Sequence, residues 1–454
     1  MKSLHWDITN RCNLRCKHCY NADRYFNANS KDYSNKELSL DDSLKIVDKI
    51  MQDGFDHIHL LGGEPLASPN LMPIIKRAKE YGLKVTINSN ATLLDSKMQD
   101  KLIELEIDHF AASIDGVSTK TNDWIRGNGT FEVVCSNMKE FNKKILLSGS
   151  LIQTCIVSTI TRANYNEIIK LPRLAREIGC HHITIATFIE SGNGRESKEA
   201  FEAPVDLLFD AIFEMIKKEL DNTNDLYFQL DSRPYVVEYL HSKFNAPILF
   251  NPKNALCCAG EDIWYMEADG DIHPCLVYRL NAGIEAQQHG IFKTEKLNLS
   301  TNEISCIRES KYWRDFLKYK NDFDVSKIIP CDQCKYTNIC MPCPLEYFGG
   351  KKNNEECMWV IKKLNEDICN LKKIKVEIKE DILIKNNEIV KAGKRVLECD
   401  DFSLRILQSI VNGKDFATIV NSIVKTCAVT EERVQLDVAH LMNYFISRDI
   451  LSYK

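Results

Sequence analysis

The stretch Cys12-Asn13-Leu14-Arg15-Cys16-Lys17-His18-Cys19-Tyr20 places three cysteines at C-x3-C-x2-C spacing, eleven residues from the start of the chain. Three thiolates on one short loop are one ligand short of a closed structural zinc or iron–sulfur site, which takes four. The same three thiolates could hold a four-iron cluster and leave one iron open to substrate. The alternatives are a zinc knuckle that uses His18, or three unrelated thiols. Other features of the chain have to decide between them.

Length and charge narrow the class of protein. A chain of 454 residues predicts two or three domains. The net charge of −5 gives no basic field that would favour nucleic acid or an anionic membrane. The first residues contain no apolar segment typical of a signal peptide, and no apolar run is long enough to span a membrane. We therefore expect a cytoplasmic protein without nucleic-acid or membrane partners.

The chain contains 18 cysteines, which fall into two groups and a scattered remainder. In a reducing compartment, clustered cysteines indicate metal ligands rather than disulfides. The first group is the opening loop, and the second comprises Cys257, Cys258, Cys275, Cys331, Cys334, Cys340, Cys343 and Cys357. The scattered cysteines are predicted to be small buried apolar residues.

The first two hundred residues alternate short apolar runs with amphipathic helical patterns, which is typical of βα units around a parallel sheet. Predicted strands cover 4–9, 57–61, 84–88, 109–115, 150–157 and 182–188. Six such units predict an α/β fold, a partial (β/α)6 TIM-like barrel, with its active site at the carboxyl ends of the strands.

Polar motifs follow three of these predicted strands. Gly62-Gly63-Glu64 follows the second strand, and glycines would let the backbone approach a ligand closely. Asn88 ends the third strand, and Ser113 and Asp115 end the fourth. Arg126 follows in an Arg-Gly-x-Gly segment, and its guanidinium fork is well shaped for a carboxylate.

Together with the cysteine loop, these motifs resemble the radical S-adenosylmethionine (SAM) superfamily. The resemblance implies that Cys12, Cys16 and Cys19 hold a 4Fe–4S cluster whose open iron binds SAM and splits it to a 5'-deoxyadenosyl radical. It also implies that Gly62, Gly63, Glu64, Asn88, Ser113 and Arg126 contact SAM, with Glu64 at the methionyl ammonium and Arg126 at the carboxylate. Asp115 is a candidate base, although a structural role at the strand end suits it better.

The second cysteine group resembles the SPASM domain, an auxiliary-cluster module of radical SAM enzymes that modify peptides. The resemblance assigns Cys331, Cys334, Cys340 and Cys357 to a distal 4Fe–4S cluster, and Cys258, Cys275 and Cys343 to a nearer one. Cys257 either supplies a fourth ligand to the nearer cluster or leaves its iron open. One gap in the pattern is a residue shorter than usual, at Cys343. Two zinc sites are the alternative for this group.

The last eighty residues contain short strands followed by three helical patterns, which predicts a winged helix-turn-helix domain. Acidic and basic residues are nearly balanced there, which argues against DNA binding. The segments 402–413 and 449–451 resemble the PqqD-like domain, which captures the leader of a ribosomally made precursor peptide by strand addition. The expected leader-binding surface lies along 373–379 and the third helix.

The resemblance as a whole implies a radical SAM/SPASM peptide maturase that forms a thioether or another side-chain cross-link. The predicted domains are the barrel (1–200), connecting helices (201–250), the SPASM domain (251–370) and the recognition domain (371–454). Its cofactors would be SAM and three 4Fe–4S clusters, and its partners a precursor peptide and a flavodoxin- or ferredoxin-type electron donor. One rival is an enzyme that oxidises Ser or Cys to formylglycine, as sulfatase maturases do. A more distant rival is a zinc-binding winged-helix regulator.

Overall fold

The computed structural model describes residues 1–22, 37–219, 226–245, 248–249, 257–281, 297–337, 340–341, 343, 354–385, 387–427 and 429–454. Its largest unit is a ten-stranded sheet in which six parallel strands follow one another in chain order. These strands are β1 (Ser3–Asp7), β2 (His57–Leu61), β3 (Lys84–Ser89), β4 (His109–Ser113), β5 (Gln153–Thr159) and β6 (His182–Ala186). The predicted α/β fold with a parallel sheet is confirmed.

Helices connect the parallel strands: α1 (Leu40–Gln52), α2 (Leu71–Glu80), α3 (Ser96–Glu104), α4 (Thr119–Arg126), α5 (Thr130–Ser148) and α6 (Leu171–Ile178). Helix α1 begins after Ser39, because the Ser39 side chain accepts a hydrogen bond from the Asp42 amide and so caps the first turn. Its apolar stripe of Ile46, Val47 and Ile50 is fully buried in the core. The helices thus cover one face of the sheet.

Strand alternation gives the sheet one apolar face and one mixed face. In β2, Ile58 and Leu60 are fully buried in the core with the helices, while His57 and His59 belong to the opposite set. Rings from β4 and β6 also meet on this second face, although β5 lies between the two strands. In a flat sheet these strands would be about 9.6 Å apart, so the sheet curls and the mixed face is concave.

The sheet extends beyond β6, which the sequence did not predict. The segment 201–250, expected to consist of connecting helices, contains α9 (Val205–Glu219) and α10 (Pro234–Phe244), preceded by the short helices α7 (Asn193–Glu196) and α8 (Lys198–Phe201). It also contributes β7 (Tyr227–Leu230) and β8 (Ile248–Leu249), which pair in parallel after β6. The expectation of helices alone was therefore wrong, because two strands too short to stand out as a pattern complete this edge.

The other edge of the sheet is built from the cysteine-rich region. Strand β9 (Ile263–Met266) pairs in parallel with β1, and β10 (Ile272–His273) pairs antiparallel with β9. The two strands form a hairpin with its turn around Asp269-Gly270. It is followed by α11 (Leu276–Asn281), α12 (Ile304–Glu309) and α13 (Lys311–Asn321). The hairpin covers the edge of β1, so the opening cysteine loop and the second cysteine group begin from neighbouring strands.

The C-terminal part follows α14 (Glu355–Leu371). It contains the three predicted helices, α15 (Asp401–Val411), α16 (Phe416–Val424) and α17 (Glu431–Ser447). Two small antiparallel sheets accompany them: β11 (Val376–Ile378) with β15 (Leu451–Tyr453), and a meander of β12 (Ile382–Lys385), β13 (Glu388–Lys391) and β14 (Lys394–Glu398). Assignment of this unit to the winged helix-turn-helix class remains a prediction.

The third helix of this unit, α17, faces inward. It packs against α10 and α14, and Asn443 donates to Asp367 Oδ2 at 2.7 Å in that interface. Lys243 of α10 approaches Asp367 Oδ1 at 2.5 Å. A leader peptide could therefore reach only the remaining faces of α17. Among the described helices, none is long and apolar enough to cross a membrane.

Candidate active site

A cavity of about 260 Å³ opens at the carboxyl ends of the parallel strands. Its walls come from the cysteine loop after β1 and from the ends of β2 to β6. Nine of the predicted site residues line it: Cys12, Cys16, Cys19, Gly62, Gly63, Glu64, Asn88, Ser113 and Arg126. Asp115 lies behind this wall, in contact with Arg126. Residues far apart in sequence meet here because parallel strands present their carboxyl ends at one edge.

The three thiols of the opening loop are held apart from one another. Among the described side chains, the groups of ligands whose atoms all lie within 4.8 Å of one another do not include Cys12, Cys16 and Cys19 together. Sulfurs around one tetrahedral zinc would be about 3.8 Å apart, given Zn–S bonds of about 2.3 Å. This spacing argues against one zinc ion and suits a larger, multi-iron group with thiolate ligands.

Burial controls the ionisation of these thiols. It raises the pKa of Cys12 and of Cys19 to about 12, and it also raises the pKa of Cys16. Thiolates are the metal-binding form of cysteine, so a positive group must compensate for the missing water. A bound cluster would provide that charge, and the donor set therefore fits an iron–sulfur group.

The glycines after β2 are needed for a reason that the sequence did not reveal. A Cβ atom on Gly63 would lie 2.2 Å from the carbonyl oxygen of Arg11, and one on Gly62 would lie 2.7 Å from that of Thr9. In the same contact, Gly63 N donates to Thr9 O at 2.8 Å and Glu64 N donates to Arg11 O at 2.7 Å. The close approach that these glycines allow is thus between two backbone segments, which sets the base of the cysteine loop.

Glu64 joins the ends of β2 and β3. Its Oε1 accepts from Ser89 Oγ at 2.6 Å and from Leu66 N at 3.0 Å, while Oε2 accepts from Asn90 N at 2.7 Å. Burial raises the pKa of this carboxyl group, and the three donors oppose the rise. A carboxylate has about four acceptor positions. One therefore remains for a donor in the cavity, which is compatible with the ammonium contact that the resemblance implies.

Arg126, Asp115 and His18 form a buried charged group beside the cavity. Arg126 Nη2 lies 2.6 Å from Asp115 Oδ2, and His18 Nε2 lies 2.9 Å from the same oxygen. Burial acts to raise the pKa of Asp115, but the charges of Arg126 and His18 outweigh it and lower that pKa to about 2. Asp115 Oδ1 also accepts from Thr159 N at 2.8 Å. An acid this strong and this fully engaged is poorly suited to act as a base, so the geometry favours the structural role.

Two polar atoms of this group point to a ligand. Arg126 Nε, His18 Nδ1 and Asp115 Oδ2 are buried and make no hydrogen bond within the described structure. Asp115 Oδ2 is held by its ion pairs instead. A buried polar atom without a partner costs about 1–3 kcal/mol. Because Arg126 lines the cavity, an anionic ligand such as a carboxylate would satisfy its free donor.

The remaining predicted SAM contacts, Asn88 and Ser113, also line the cavity. Asn88 lines the cavity, and its Oδ1 lies 3.2 Å from His59 Nε2. Ser113 lines the cavity at the end of β4. Both side chains are thus in reach of a bound molecule, whereas the structure assigns neither of them to a particular atom of SAM.

The loop after β6 has a role that sequence reasoning missed. Asn193 Nδ2 donates to Cys16 O at 2.9 Å, and Asn193 N donates to Cys19 O at 3.0 Å. A Cβ on Gly192 would lie 2.6 Å from Cys19 O. The loop therefore clamps the cysteine loop from the opposite side of the cavity. The only signal in the sequence was the Gly192-x-Gly194 pair directly after a strand.

The second cysteine group divides into two sets. Cys331, Cys334, Cys340 and Cys357 line one small cavity. Cys357 reaches it from the first turn of α14, where the Asn354 side chain caps the helix and accepts from Cys357 N. Burial raises the pKa of all four thiols, to about 11 for Cys331 and about 12 for Cys340. The arrangement brings together the quartet that the SPASM resemblance selects.

The other set surrounds Cys275, next to the β9–β10 hairpin. Burial raises the pKa of Cys275, and the largest charge effects on it come from Cys343 and then Cys257. The strongest cysteine effect on the neighbouring Cys258 comes from Cys257 instead. Cys343 and Cys257 thus both lie near enough to Cys275 to act on it electrostatically.

A hydrogen-bonded path joins this set to the cavity. Asn21 lines the cavity just after the cysteine loop, and its Oδ1 accepts from Arg279 Nη1 at 2.8 Å. Arg279 N donates to Cys275 O at 3.2 Å. The side-chain nitrogen Nδ2 of Asn21 donates to Asp7 Oδ2 at 2.9 Å. The same oxygen also accepts from the Tyr265 hydroxyl of β9. Asn21 and Arg279 thus connect the wall of the cavity to the start of α11, which follows Cys275 directly.

Comparison with known proteins agrees with this geometry. Residues 6–171 match the radical SAM superfamily model. An AdoMet-dependent heme synthase of Methanosarcina barkeri is 29% identical over 47% of this chain and 58% of its own length. The mycofactocin maturase MftC of Mycolicibacterium smegmatis is 23% identical over 60% of this chain and 63% of its own. The chain thus spans less than two thirds of these relatives.

Among solved structures, SuiB of Streptococcus suis bound to SAM has a TM-score of 0.57, with 18% identity over 80% of this chain and 74% of SuiB. A second SuiB structure, bound to the precursor peptide SuiA, has a TM-score of 0.55. At this identity the likeness concerns the fold alone. The relatives include both a heme synthase and a peptide maturase, so they leave the substrate open.

Proposed function

We propose that this radical SAM superfamily enzyme modifies a ribosomally made precursor peptide and forms a thioether or another side-chain cross-link. The observation that carries the proposal is the path through Asn21 and Arg279, which joins the reaction cavity to the backbone of Cys275, one of the second cysteine group. Closing a bond between a thiol and a carbon removes two hydrogens from the peptide: one leaves as an atom, the other as a proton and an electron. An electron acceptor close to the cavity is therefore required.

In this proposal Cys12, Cys16 and Cys19 hold the SAM-binding 4Fe–4S cluster. When bound, SAM and its cluster would supply the radical chemistry that takes a hydrogen atom from a peptide carbon. The chain's own residues position the ligand: Glu64 offers its remaining acceptor position to the methionyl ammonium, and Arg126 offers Nε to the carboxylate. Asp115 keeps the Arg126 guanidinium charged and fixed in place, while Asn88 and Ser113 contribute polar groups from the wall.

The electron acceptors would be two auxiliary 4Fe–4S clusters in a SPASM-type region. Cys331, Cys334, Cys340 and Cys357 are the ligands proposed for one of them, since they share a cavity. Cys275 and Cys343, with Cys257 or Cys258, are the ligands proposed for the other. A flavodoxin- or ferredoxin-type protein would supply the electron that starts the reaction.

A PqqD-like function of the C-terminal unit is part of the proposal, with β11 as the docking edge. In an antiparallel pair, residues alternate between those bonded to the partner strand and those whose backbone groups point away. Lys375 O accepts from Lys454 N at 2.8 Å, and Lys379 N donates to Ile450 O at 3.1 Å. Val376 and Ile378 therefore direct their backbone groups away from β15. A leader peptide could bond to these groups as an added strand.

A Val376→Pro variant tests this docking edge. Proline removes the outward N–H, and the loss of about one backbone hydrogen bond should weaken leader binding roughly tenfold. The measurement is fluorescence anisotropy with a labelled candidate precursor, encoded as a short reading frame beside this gene. Val396→Pro, on the exposed edge strand β14, is the matched control and should bind the peptide as the native chain does. Equal affinities in the two variants would rule β11 out.

The product test uses the reconstituted holoenzyme with SAM, dithionite and the same precursor. We expect a peptide that has lost two hydrogens for each cross-link. If the cross-link is a thioether, the peptide should also have one fewer thiol that can be alkylated. Formylglycine would instead create a carbonyl that reacts with hydroxylamine, and its appearance would favour the sulfatase-maturase rival. Turnover of an iron porphyrin such as Fe-coproporphyrin III, with the peptide left unchanged, would overturn the proposal. The presence of zinc alone, without SAM cleavage, would favour the regulator.

A further inference from the structure

The concave face of the sheet carries a cluster of histidines at the end opposite the cavity. Six of the chain's eleven histidines lie at or near the starts of the parallel strands: His5, His57, His59, His109, His181 and His182. The cavity forms at the other ends of these strands. His109 and the cavity residue Ser113 are four residues apart on β4, which corresponds to about 13 Å along a strand. The pair His109 and His182 is therefore separate from the site described above, whereas His59 contacts the cavity residue Asn88.

Three of the histidines outside the central pair have partners from the surrounding protein. His57 contacts Ser3 Oγ at 2.7 Å and Thr86 Oγ1 at 2.9 Å. His59 contacts Asn88 Oδ1 at 3.2 Å, and His181 Nδ1 accepts from Thr154 N at 2.9 Å. The ring nitrogens that make these contacts are therefore already hydrogen-bonded within the protein.

His109 and His182 differ, because their Nε2 atoms face one another. The two nitrogens are 3.3 Å apart, and the ring centroids are 4.9 Å apart. Cys155, on the strand between them, is almost fully buried, and its Sγ lies within 4.8 Å of a ring nitrogen of each histidine. Two imidazole nitrogens bound to one zinc ion at about 2.0–2.1 Å in tetrahedral geometry are about 3.3–3.4 Å apart. The observed separation matches this value.

The local chemistry also suits a metal. Two imidazole nitrogens and one thiolate are a ligand set that zinc commonly takes in proteins. The Thr184 side chain hydrogen-bonds the Cys155 sulfur, and such outer contacts orient metal ligands. A hydrogen bond between His109 and His182 would explain the position of the two rings. It would not explain why the Cys155 sulfur lies beside them.

We propose that His109, His182 and Cys155 bind one zinc ion on the concave face of the sheet. The Zn–S bond replaces the S–H bond of Cys155, and the proton passes to solvent. Two imidazoles and one thiolate leave a fourth position for water or another neighbour. The ion would tie β4, β5 and β6 together at the end of the sheet where their inner face is polar. This role is independent of the peptide chemistry.

The test uses iron-replete holoenzyme, so that the cluster cysteines are occupied, and Zn²⁺ alone as the probe. After desalting, the native chain should keep about one zinc more than Cys155→Ser or His182→Gln, and affinity in these variants should fall at least tenfold. Cys180→Ser replaces another buried cysteine outside the group and is the matched control, which should retain zinc. Iron content and circular dichroism verify that each variant is loaded and folded.

A second measurement needs no variant. Zinc X-ray absorption of the native protein should show one sulfur at about 2.3 Å and at least two nitrogens at about 2.0–2.1 Å. Equal zinc in the native chain and in Cys155→Ser, a spectrum with several sulfurs, or no retained zinc would each overturn the proposal.

Discussion

A Cys16→Ala variant is expected to lose about four irons per chain and essentially all formation of 5'-deoxyadenosine, a fall of at least a thousandfold. Cys16 lies in the middle of the loop, and its sulfur contacts the carbonyl oxygen of Arg126 at 3.8 Å. Two thiolates cannot hold a four-iron group that needs three protein ligands. The measurements are iron content, visible absorption and chromatographic quantification of 5'-deoxyadenosine after anaerobic reconstitution with SAM and dithionite.

The control for this variant is Cys306→Ser, which replaces an exposed cysteine on α12. It should keep the full iron content and the native rate. If Cys16→Ala retained SAM cleavage, the opening loop would not be the SAM-binding site. If both variants lost iron equally, cysteine loss in general, rather than this loop, would be responsible.

An Asp115→Asn variant should be destabilised by about 3–5 kcal/mol at neutral pH, because it leaves the Arg126 charge without its buried counter-ion. The side chain of Arg126 is only 11% exposed, so water cannot replace the lost carboxylate. Urea unfolding at pH 7 measures the effect. Asp100→Asn is the matched control, since it removes an exposed partner of Lys144 and should cost at most about 1 kcal/mol.

The same residue gives the protein a specific pH dependence. The pKa of Asp115 is lowered to about 2 in the folded chain, below the value of about 3.9 expected in the unfolded chain. The unfolded state thus takes up the proton first, and the stabilisation by Asp115 is complete above pH 4 and is lost as the pH falls towards 2. The native chain should therefore lose this increment of unfolding free energy on acidification, and Asp115→Asn should lack it. Parallel slopes for the two proteins would contradict the assigned pair.

Much of the candidate site was predictable because its signals are local. Each cysteine of the opening loop is within four residues of the next, and Glu64 and Asn88 directly follow apolar runs that predict strands. The carboxyl ends of parallel strands share one edge, so local motifs become neighbours once the strands are recognised. The structure accordingly gathers these residues around one cavity.

The parts that sequence reasoning missed depend on contacts between distant segments. Nothing local to Gly63 indicates that its Cα faces the carbonyl oxygen of Arg11, and nothing near Asn193 indicates that it holds Cys16. Strands β7 and β8 are short, and their pairing comes from the edge of the sheet rather than from their own pattern. Asp115 was a weak candidate base until Arg126 and His18 were found on its carboxylate.

The sequence by itself determined the α/β class, the order of the six parallel strands and the grouping of the cysteines, because these follow from periodicity and spacing along the chain. Tertiary structure alone decided that the β9–β10 hairpin joins β1, which brings the backbone of Cys275 within two hydrogen bonds of Asn21 in the cavity wall. It also decided that His109, Cys155 and His182, on three different strands, converge at one point. The physical reason is the curl of the sheet: it brings side chains from non-adjacent strands together on the concave face, and that curvature arises from the packing of the whole sheet.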